Sequence, residues 1–230
     1  MKPIGLRERT RRAVQAALSE AAQELFATQG FEATTVDQIA AAAGISPRSF
    51  FRYFASKEDA VIGRYDLQSD DLAAALSARP LDEPVWDSLR RTFDVAVDYY
   101  SDAHRLELVA AMLNVITSSP ALHARYLAKQ DAMQQRLIDI LCERAAQRGE
   151  PVAANDILTR AIMGSAHACL NAAIRAAFLS NNPQSLASRL DAVMTTLRPA
   201  IPEAPIVGTA PAAAEASEPA KGRKKRTHAA

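Results

Sequence analysis

The stretch TTVDQIAAAAGISPRSFFRYFASKED, residues 34–59, carries its own helix start and stop signals. Thr35 and Gln38 have the spacing of a capping box, in which each side chain bonds to the backbone N–H of the other residue. Gly44 stands where a helix ends in the left-handed conformation that glycine adopts at little cost. The pattern predicts a short helix that begins after Thr35 and ends just before Gly44.

A second helix start follows at once. Ser46 is a favoured N-cap residue, and Pro47 is tolerated at the first helical position because the N–H it lacks would have no partner there. Ser56 and Asp59 repeat the capping pattern for a third helix. Two short helices joined by a tight turn form a helix-turn-helix motif.

The second helix of this motif has two faces of different chemistry. Phe50 and Phe54 are four residues apart, so they share one side and are predicted to pack on the preceding helices. Arg48, Phe51 and Arg52 share another side, where a phenyl ring exposed to water is costly unless a partner covers it. A DNA major groove is such a partner, because arginine bonds guanine edges and an apolar ring packs on thymine methyl groups. The alternative is that all three rings are core and both arginines are only solvated.

The same stretch resembles the DNA-binding domain of TetR-type bacterial transcriptional regulators. The recognition-helix region of that family reads close to G-[VI]-S-x-G-T-[LF]-Y-x-[YH]-F-x-S-K-E-x-L. Matching positions here are Gly44-Ile45-Ser46, Ser49-Phe50, Tyr53-Phe54 and Ser56-Lys57-Glu58. The resemblance implies an all-α fold, with an N-terminal three-helix helix-turn-helix DNA-binding domain and a larger C-terminal helical domain for ligand binding and dimerisation.

Three positions depart from the family pattern: Arg48 replaces Gly, Ser49 replaces Thr, and Phe51 replaces a Tyr whose hydroxyl often reaches a phosphate. Phe51 is therefore expected to pack on bases or sugars instead. The resemblance implies phosphate contacts from Thr35, Tyr53 and Lys57. The full predicted DNA-binding set is Thr35, Ser46, Pro47, Arg48, Ser49, Phe51, Arg52, Tyr53 and Lys57.

A basic cluster opens the first long helix. Arg7, Arg9, Arg11 and Arg12 could lie against phosphates or reach into the minor groove. The alternative is a merely solvated helix start.

Composition favours helices and a sizeable core. The chain has 230 residues, of which 49% are hydrophobic, and only eight glycines. We see no apolar run long enough for a membrane span and no leader peptide, so a soluble cytoplasmic protein with no membrane partner is expected. Two cysteines and four histidines lack metal-ligand spacing, so neither a metal nor a cofactor is expected.

Helical periodicity and breaking residues divide the rest of the chain. We predict a DNA-binding domain at 1–56, a helical ligand-binding and dimerisation domain at 57–198, and a disordered basic tail at 199–230. The predicted helices are 7–29, 57–78, 85–102, 104–117, 120–149, 155–180 and 183–198.

The last two helices are candidates for a dimer interface. In the first, a stripe of small residues lets another helix approach closely. Two such helices from each of two subunits would close a four-helix bundle, which is how TetR-like proteins form homodimers. The alternative is core packing within one subunit. The stripe comprises Ala161, Gly164, Ser165, Ala168 and Ala172.

The larger domain holds bulky and polarizable side chains that could surround a mostly apolar pocket. The family resemblance implies a small hydrophobic effector there, whereas plain core packing is the alternative for each residue. Residues 106–147 also resemble the C-terminal domain of mycofactocin-system regulators, which implies a fatty-acyl ligand. The predicted lining residues are Phe93, Tyr100, Met112, Asn114, Met133, Met163, His167 and Asn171.

These features predict a DNA-binding transcriptional regulator, most simply a ligand-responsive repressor that occupies a palindromic operator as a dimer. A transcriptional activator or a ligand-independent regulator of the same fold is the alternative. An all-helical enzyme is disfavoured, because the chain has no glycine-rich phosphate loop, G-x-S-x-G elbow or H-E-x-x-H pair.

Overall fold

The computed structural model describes residues 5–153, 155–180 and 182–200. Within these ranges all regular structure is helical, and the expected all-α fold is confirmed. The helices are α1 (Leu6–Gln29), α2 (Val36–Ala42), α3 (Pro47–Phe50), α4 (Lys57–Ser77), α5 (Val85–Thr92), α6 (Asp94–Tyr100), α7 (Ala103–Ser118), α8 (Pro120–Gln147), α9 (Ile157–Leu179) and α10 (Leu186–Thr196), with a 3₁₀ turn at Pro183–Ser185. The predicted tail falls outside the described residues from position 201 onward.

The capping signals read from the sequence operate as predicted. Thr35 Oγ1 accepts from the Gln38 N–H at 3.3 Å, and Gln38 Oε1 accepts from the Thr35 N–H at 2.8 Å, which completes the capping box. Gly44 ends this segment at φ +70°. Ser46 Oγ accepts from the Ser49 N–H at 3.2 Å at the start of α3.

Helix α3 is a single turn, shorter than the sequence suggested. After Phe50 the chain tightens, because the Arg52 and Tyr53 N–H groups donate to carbonyls three residues back, those of Ser49 and Phe50. This 3₁₀-type geometry is common at helix ends. The octet 47–54 is therefore one α-helical turn followed by a tight turn.

Two hydrophobic clusters form the interior. The first cluster joins α1, α2, α3 and the start of α4, and it also takes in Met112 and Ile116 of α7. The second cluster joins the later part of α4 to α5–α10. Helix α4 belongs to both, since Val61 and Ile62 lie in the first and Leu72 and Leu76 in the second. A displacement of α4 would therefore be felt in both clusters.

The segment 85–102, predicted as one helix, is two helices. The break lies at Phe93, whose N–H still donates to Leu89 O at 3.1 Å but whose backbone follows a turn at φ −73° and ψ −7°. The Phe93 ring is fully buried in the second cluster. The single-helix prediction was wrong here, because helical periodicity continues through a break that leaves the same side chains facing the core.

Helix α9 corrects the expectation that no long apolar run occurs. Its length and the mean hydropathy of 1.2 over an 18-residue window would allow this helix to cross a membrane. However, 44% of that window is buried inside the protein. It packs against α8 and α10. Core helices pass the same test, so this is weak evidence for a span.

Gly63 of α4 is a contact point between the helix-turn-helix motif and the rest of the protein. A Cβ at this position would lie 2.8 Å from Phe54 Cζ and closer still to Cε1. The Phe54 ring is 5% exposed and packs against Phe50 at 5.7 Å between ring centroids, so it has little room to move. The absence of a side chain at Gly63 is what lets the motif sit on α4.

We expect Gly63→Ala to lower the free energy of unfolding by about 1–2 kcal/mol, because overpacking outweighs the gain in helix propensity. The measurement is urea unfolding followed by circular dichroism. In a Phe54→Leu background the same change should become neutral or stabilising, since the smaller side chain leaves room for the methyl group. Equal effects in both backgrounds would show that Phe54 is not the obstacle.

Candidate nucleic-acid interface and ligand cavity

The helix-turn-helix motif presents a basic and aromatic outer face. Arg48, Phe51 and Arg52 are exposed, the Phe51 ring by 58%. Phe50 and Phe54 are buried on the opposite side, at 0% and 5% exposure. The predicted division into an inner and an outer face is confirmed, and the alternative in which all three rings are core is wrong for Phe51.

The Phe51 ring of the outer face is supported from below. The Phe51 ring meets the buried Phe50 ring edge to face, with centroids 5.5 Å apart and an interplanar angle of 86°. Neither Arg48 nor Arg52 forms a hydrogen bond or ion pair with another residue of the described ranges, so both guanidinium groups remain available for bonds to DNA. Five N–H donors in a planar fork suit guanine O6/N7 and phosphate oxygens.

Several other predicted DNA-binding residues already have partners within the motif. Ser46 Oγ and Ser49 Oγ lie 3.0 Å apart, and Thr35 Oγ1 is held in the capping box with Gln38. Pro47 is exposed at the start of α3, and Tyr53 is half-buried against the first cluster. Their contacts with DNA remain predictions.

Lys57 has a structural role that sequence reasoning missed. Its Nζ donates to Phe31 O at 2.9 Å and to Thr34 O at 3.3 Å, and it lies 4.3 Å from the Phe31 ring centroid. The ammonium thus holds the loop after α1 against the start of α4. One of its three donors is left for a phosphate, whose contact stays a prediction.

The basic cluster at the start of α1 is divided. Arg7, Arg9 and Arg11 are exposed. Arg12 instead pairs with Asp70 of α4 at 2.6 Å, and more loosely with Glu8 at 3.5 Å. Arg12 therefore ties α1 to α4, and its proposed place against a phosphate is not supported.

Ion pairs also run along α4 and α8. Asp59 pairs with Arg125, and Asp66 accepts from Lys129 Nζ at 2.5 Å. Asp70, which also holds Arg12, pairs with Arg136. Each exposed pair contributes little to stability alone. Together they fix the position of α8 along α4.

A cavity of about 440 Å³ lies between α4, α6, α7, α8 and α9, within the size range of small-molecule sites. Five residues predicted from sequence line it: Tyr100, Asn114, Met133, His167 and Asn171. The structure thus brings together residues from four helices, α6 to α9, that are up to 71 positions apart in the chain.

The prediction of cavity-lining residues was wrong at three positions. Phe93 and Met163 are fully buried in the second cluster, and Met112 is buried in the first. None of them lines the cavity. Bulky side chains at helical spacing serve a packed core equally well, and sequence alone does not say which of them border an empty space.

The structure also assigns lining residues that sequence reasoning missed. Tyr65 and Gln68 of α4 and Tyr126 and Gln130 of α8 face the cavity. The Tyr65 and Tyr126 rings meet at 4.9 Å between centroids and an interplanar angle of 66°. The sequence pattern that could have indicated these lining residues is the spacing of the two pairs. Tyr65 and Gln68 are three residues apart and Tyr126 and Gln130 are four apart, so each pair shares one face of its helix.

Apart from Arg175, the polar groups that line the cavity are uncharged at neutral pH. Burial raises the pKa of the Tyr65 and Tyr100 hydroxyls, and Tyr100 Oη donates to Gln68 Oε1 at 3.5 Å. Burial lowers the pKa of His167 to about 4, and its Nδ1 lies 3.4 Å from Asn171 Nδ2. At neutral pH the cavity therefore offers a neutral imidazole and protonated tyrosines.

We expect His167 to make the stability of the folded protein sensitive to acid. Its pKa is lowered to about 4 in the folded protein, so the unfolded chain binds the proton more readily. Its contribution is fully present above the unfolded pKa and is lost as the pH falls from about 6.5 to 4, by at most about 3 kcal/mol.

We therefore expect His167→Gln to lose less stability than the parent protein between pH 7 and pH 4.5 in urea titrations. Asn114→Gln, a change at a polar lining residue that does not titrate, is the control and should follow the parent curve. Parallel curves for the parent and His167→Gln would show that His167 is protonated in the folded state.

Fold and site together define a class: an all-helical protein with an N-terminal helix-turn-helix motif and a larger helical part that encloses a cavity. The sequence model of "Bacterial regulatory proteins, tetR family" matches residues 18–61, which cover the motif and the start of α4. This part of the chain is therefore similar to that family.

Two curated proteins are similar to part of the chain. The HTH-type transcriptional regulator TcmR of Streptomyces glaucescens is 37% identical over 145 residues, which is 61% of this chain and 64% of TcmR. MftR of Mycobacterium tuberculosis, named for the transcriptional regulation of mycofactocin biosynthesis, is 34% identical over 107 residues, 46% of this chain and 53% of MftR. The matches thus span less than two thirds of either relative.

A solved structure shares the fold at low sequence identity. The fatty acid degradation regulator FadR from Bacillus halodurans superposes with a TM-score of 0.56 and 18% identity, over 80% of this chain and 96% of FadR. This likeness concerns the fold alone.

Proposed function

We propose that this protein is a ligand-responsive transcriptional repressor that binds a palindromic DNA operator as a homodimer. The observation that carries the proposal is the outer face of Arg48, Phe51 and Arg52, where an exposed ring stands with two guanidinium groups that have no partner in the described part of the chain. Its relatives are named as transcriptional regulators. An activator or a ligand-independent regulator is the alternative, and similarity to a family of regulators favours both over an enzyme.

The geometry of the face suits a major groove. Arginine forms bidentate bonds to guanine O6/N7, and an exposed apolar ring such as that of Phe51 packs on a thymine methyl group. We assign Thr35, Tyr53 and Lys57 to the sugar-phosphate backbone, where contacts position the protein without reading sequence.

Dimerisation is proposed through α9 and α10. The small residues Ala161, Ser165, Ala168 and Ala172 are exposed along α9, and Gly164 is half-buried. They let the same helix of a second subunit approach closely, so that α9 and α10 of two subunits form a four-helix bundle. A two-fold dimer sets its two recognition elements about one DNA turn apart, which matches a palindromic operator.

The proposed domain division follows the chain at 1–56, 57–198 and 199–230, with a cytoplasmic location. Helix α4 couples the first two parts, because Tyr65 and Gln68 line the cavity while Val61 and Ile62 pack in the cluster beneath the DNA-reading face. An effector that displaces Tyr65 or Gln68 would move α4. Through α4 it would shift the DNA-reading face of each subunit in the dimer. A coupling of about 1–3 kcal/mol per site is typical of such responses.

Selection of bound duplexes from a random DNA pool tests the proposal. A recovered palindrome supports it, and failure to enrich any sequence refutes it. A promoter reporter in cells that lack the protein then separates the alternatives, since a repressor predicts higher expression on deletion and an activator predicts lower expression.

Ala168→Arg is predicted to break the dimer. Near a two-fold axis the new guanidinium meets its own copy, so we expect the dimer dissociation constant to rise roughly 100-fold or more. Analytical ultracentrifugation measures it. Ala128→Arg, on an exposed position of α8, is the matched control and should remain dimeric. A dimeric Ala168→Arg protein would place the interface elsewhere.

A further inference from the structure

The rim of the cavity lies between the C-terminal parts of α7 and α9. Asn114 and Thr117 on α7, and Arg175, Phe178 and Leu179 on α9, line the cavity and are exposed in the single chain. Leu179 is 73% exposed, which is unfavourable for an apolar side chain without cover. The cavity of one subunit is therefore incompletely closed at this rim.

The rim continues into the exposed face of α9. Exposed residues follow one another along this helix at alternating intervals of three and four: Leu158, Ala161, Ser165, Ala168, Ala172, Arg175 and Leu179. This is the heptad spacing with which one helix packs against another. Because Arg175 and Leu179 belong both to this face and to the cavity lining, a helix packed on the face would also cover the rim.

An antiparallel pairing of α9 with its own copy suits this face. Ile157 and Leu179 are the first and last residues of α9, exposed by 78% and 73%, and Ala168 is the middle residue. A two-fold axis at Ala168 sets the first residue of one helix opposite the last residue of the other, which covers both apolar side chains. A parallel pairing would set each Arg175 against its own copy, and like charges repel. In the antiparallel pair Arg175 lies opposite Ala161, whose small side chain leaves it room.

We infer that the second subunit completes the effector cavity, and that Ile157 of the partner subunit covers the rim at Arg175 and Leu179. This inference rests on the proposed function, which makes α9 the dimer interface and the cavity the effector site. Because each subunit contributes to the site of the other, effector binding and dimerisation strengthen each other. A bound effector stabilises the dimer, and a monomer keeps only an open cavity that binds weakly.

Disulfide crosslinking of the full chain tests the pairing. In the double variant Ala161→Cys/Arg175→Cys, each new cysteine lies opposite the other new cysteine of the partner subunit, within the roughly 7 Å between Cα atoms that a disulfide can span. Each single variant should stay uncrosslinked, because antiparallel helices hold its two copies about 20 Å apart along the helix axis. Non-reducing gel electrophoresis after oxidation with copper phenanthroline measures the crosslinked dimer. The parent protein, with its native Cys142 and Cys169, gives the background.

Binding of N-phenyl-1-naphthylamine, an uncharged dye that fluoresces in apolar surroundings, tests the coupling. Ala168→Arg is used at a concentration where it is monomeric. We expect it to bind the dye at least roughly fivefold more weakly than the parent dimer, since its cavity lacks the apolar cover from the second subunit. Ala128→Arg, on α8, is the matched control and should bind the dye as the parent does. Circular dichroism checks that both variants are folded.

Four results would overturn the inference: no crosslink in the double variant, a crosslink in either single variant, equal dye affinity of the parent and monomeric Ala168→Arg, or no dye binding by the parent. A crosslink in Arg175→Cys alone would indicate a parallel pairing of α9. These assays contain no DNA, so their failure is distinct from that of the proposed function, which fails if no duplex is selected.

Discussion

Arg48→Ala is expected to erase the operator preference of this protein while leaving its fold and its dimer intact. The side chain is exposed and has no partner within the described ranges, so its removal should change stability by less than about 0.5 kcal/mol. A bidentate bond to guanine gives roughly 1–3 kcal/mol of discrimination, and the dimer makes it twice, so the loss should be roughly 2–6 kcal/mol.

Fluorescence anisotropy with the selected operator and a scrambled duplex, at one fixed salt concentration, measures this loss. Arg91→Ala, at an exposed position of α5, removes the same charge away from the proposed face and is the control. An equal loss on both duplexes would make Arg48 a phosphate contact. Unchanged affinity for the operator would remove Arg48 from the interface.

Arg144→Met is expected to lower the free energy of unfolding by about 3 kcal/mol or more. The Arg144 side chain is buried, and its guanidinium donates to Arg79 O at 2.6 Å and Pro80 O at 2.7 Å. Longer bonds reach Leu76 O at 3.3 Å and Ser88 Oγ at 3.4 Å. It thus anchors the carboxyl end of α4, and its loss leaves buried carbonyl groups without donors.

The same change should weaken the response to ligand, because α4 would no longer be fixed at one end while its other end carries the helix-turn-helix motif. Urea unfolding measures the first effect, and operator release by a cavity-binding probe measures the second. Arg148→Met, at the residue that caps the end of the same helix, is the control: Arg148 bonds Leu81 O at 3.2 Å from a more exposed position and should cost less than about 1 kcal/mol. Equal losses for the two variants would contradict the anchoring role.

The helix-turn-helix motif was predictable from sequence because its signals are local. Capping at Thr35 and Ser46 and the left-handed residue Gly44 each act within four residues, and the inner and outer faces follow from helical spacing. Lys57 shows the limit of such reasoning, because its partners Phe31 and Thr34 lie more than 20 positions away and are backbone carbonyls, which leave no trace in the sequence.

The cavity was only partly predictable, since it depends on how helices pack against one another. Met133 and Met163 have the same chemistry, yet the first lines the cavity and the second is core. Tyr65 was missed because α4 reads as a connecting helix, and only the packing of α8 beside it shows that this face borders an open space.

The most direct test of the central claim, that the face of Arg48, Phe51 and Arg52 reads bases, is methylation of guanine N7 in the selected operator, with the protein at saturating concentration. The parent protein should protect one or more guanines in each half-site, and Arg48→Ala or Arg52→Ala should make specific guanines among them reactive again while the rest stay protected. Identical protection patterns for all three proteins would contradict the account.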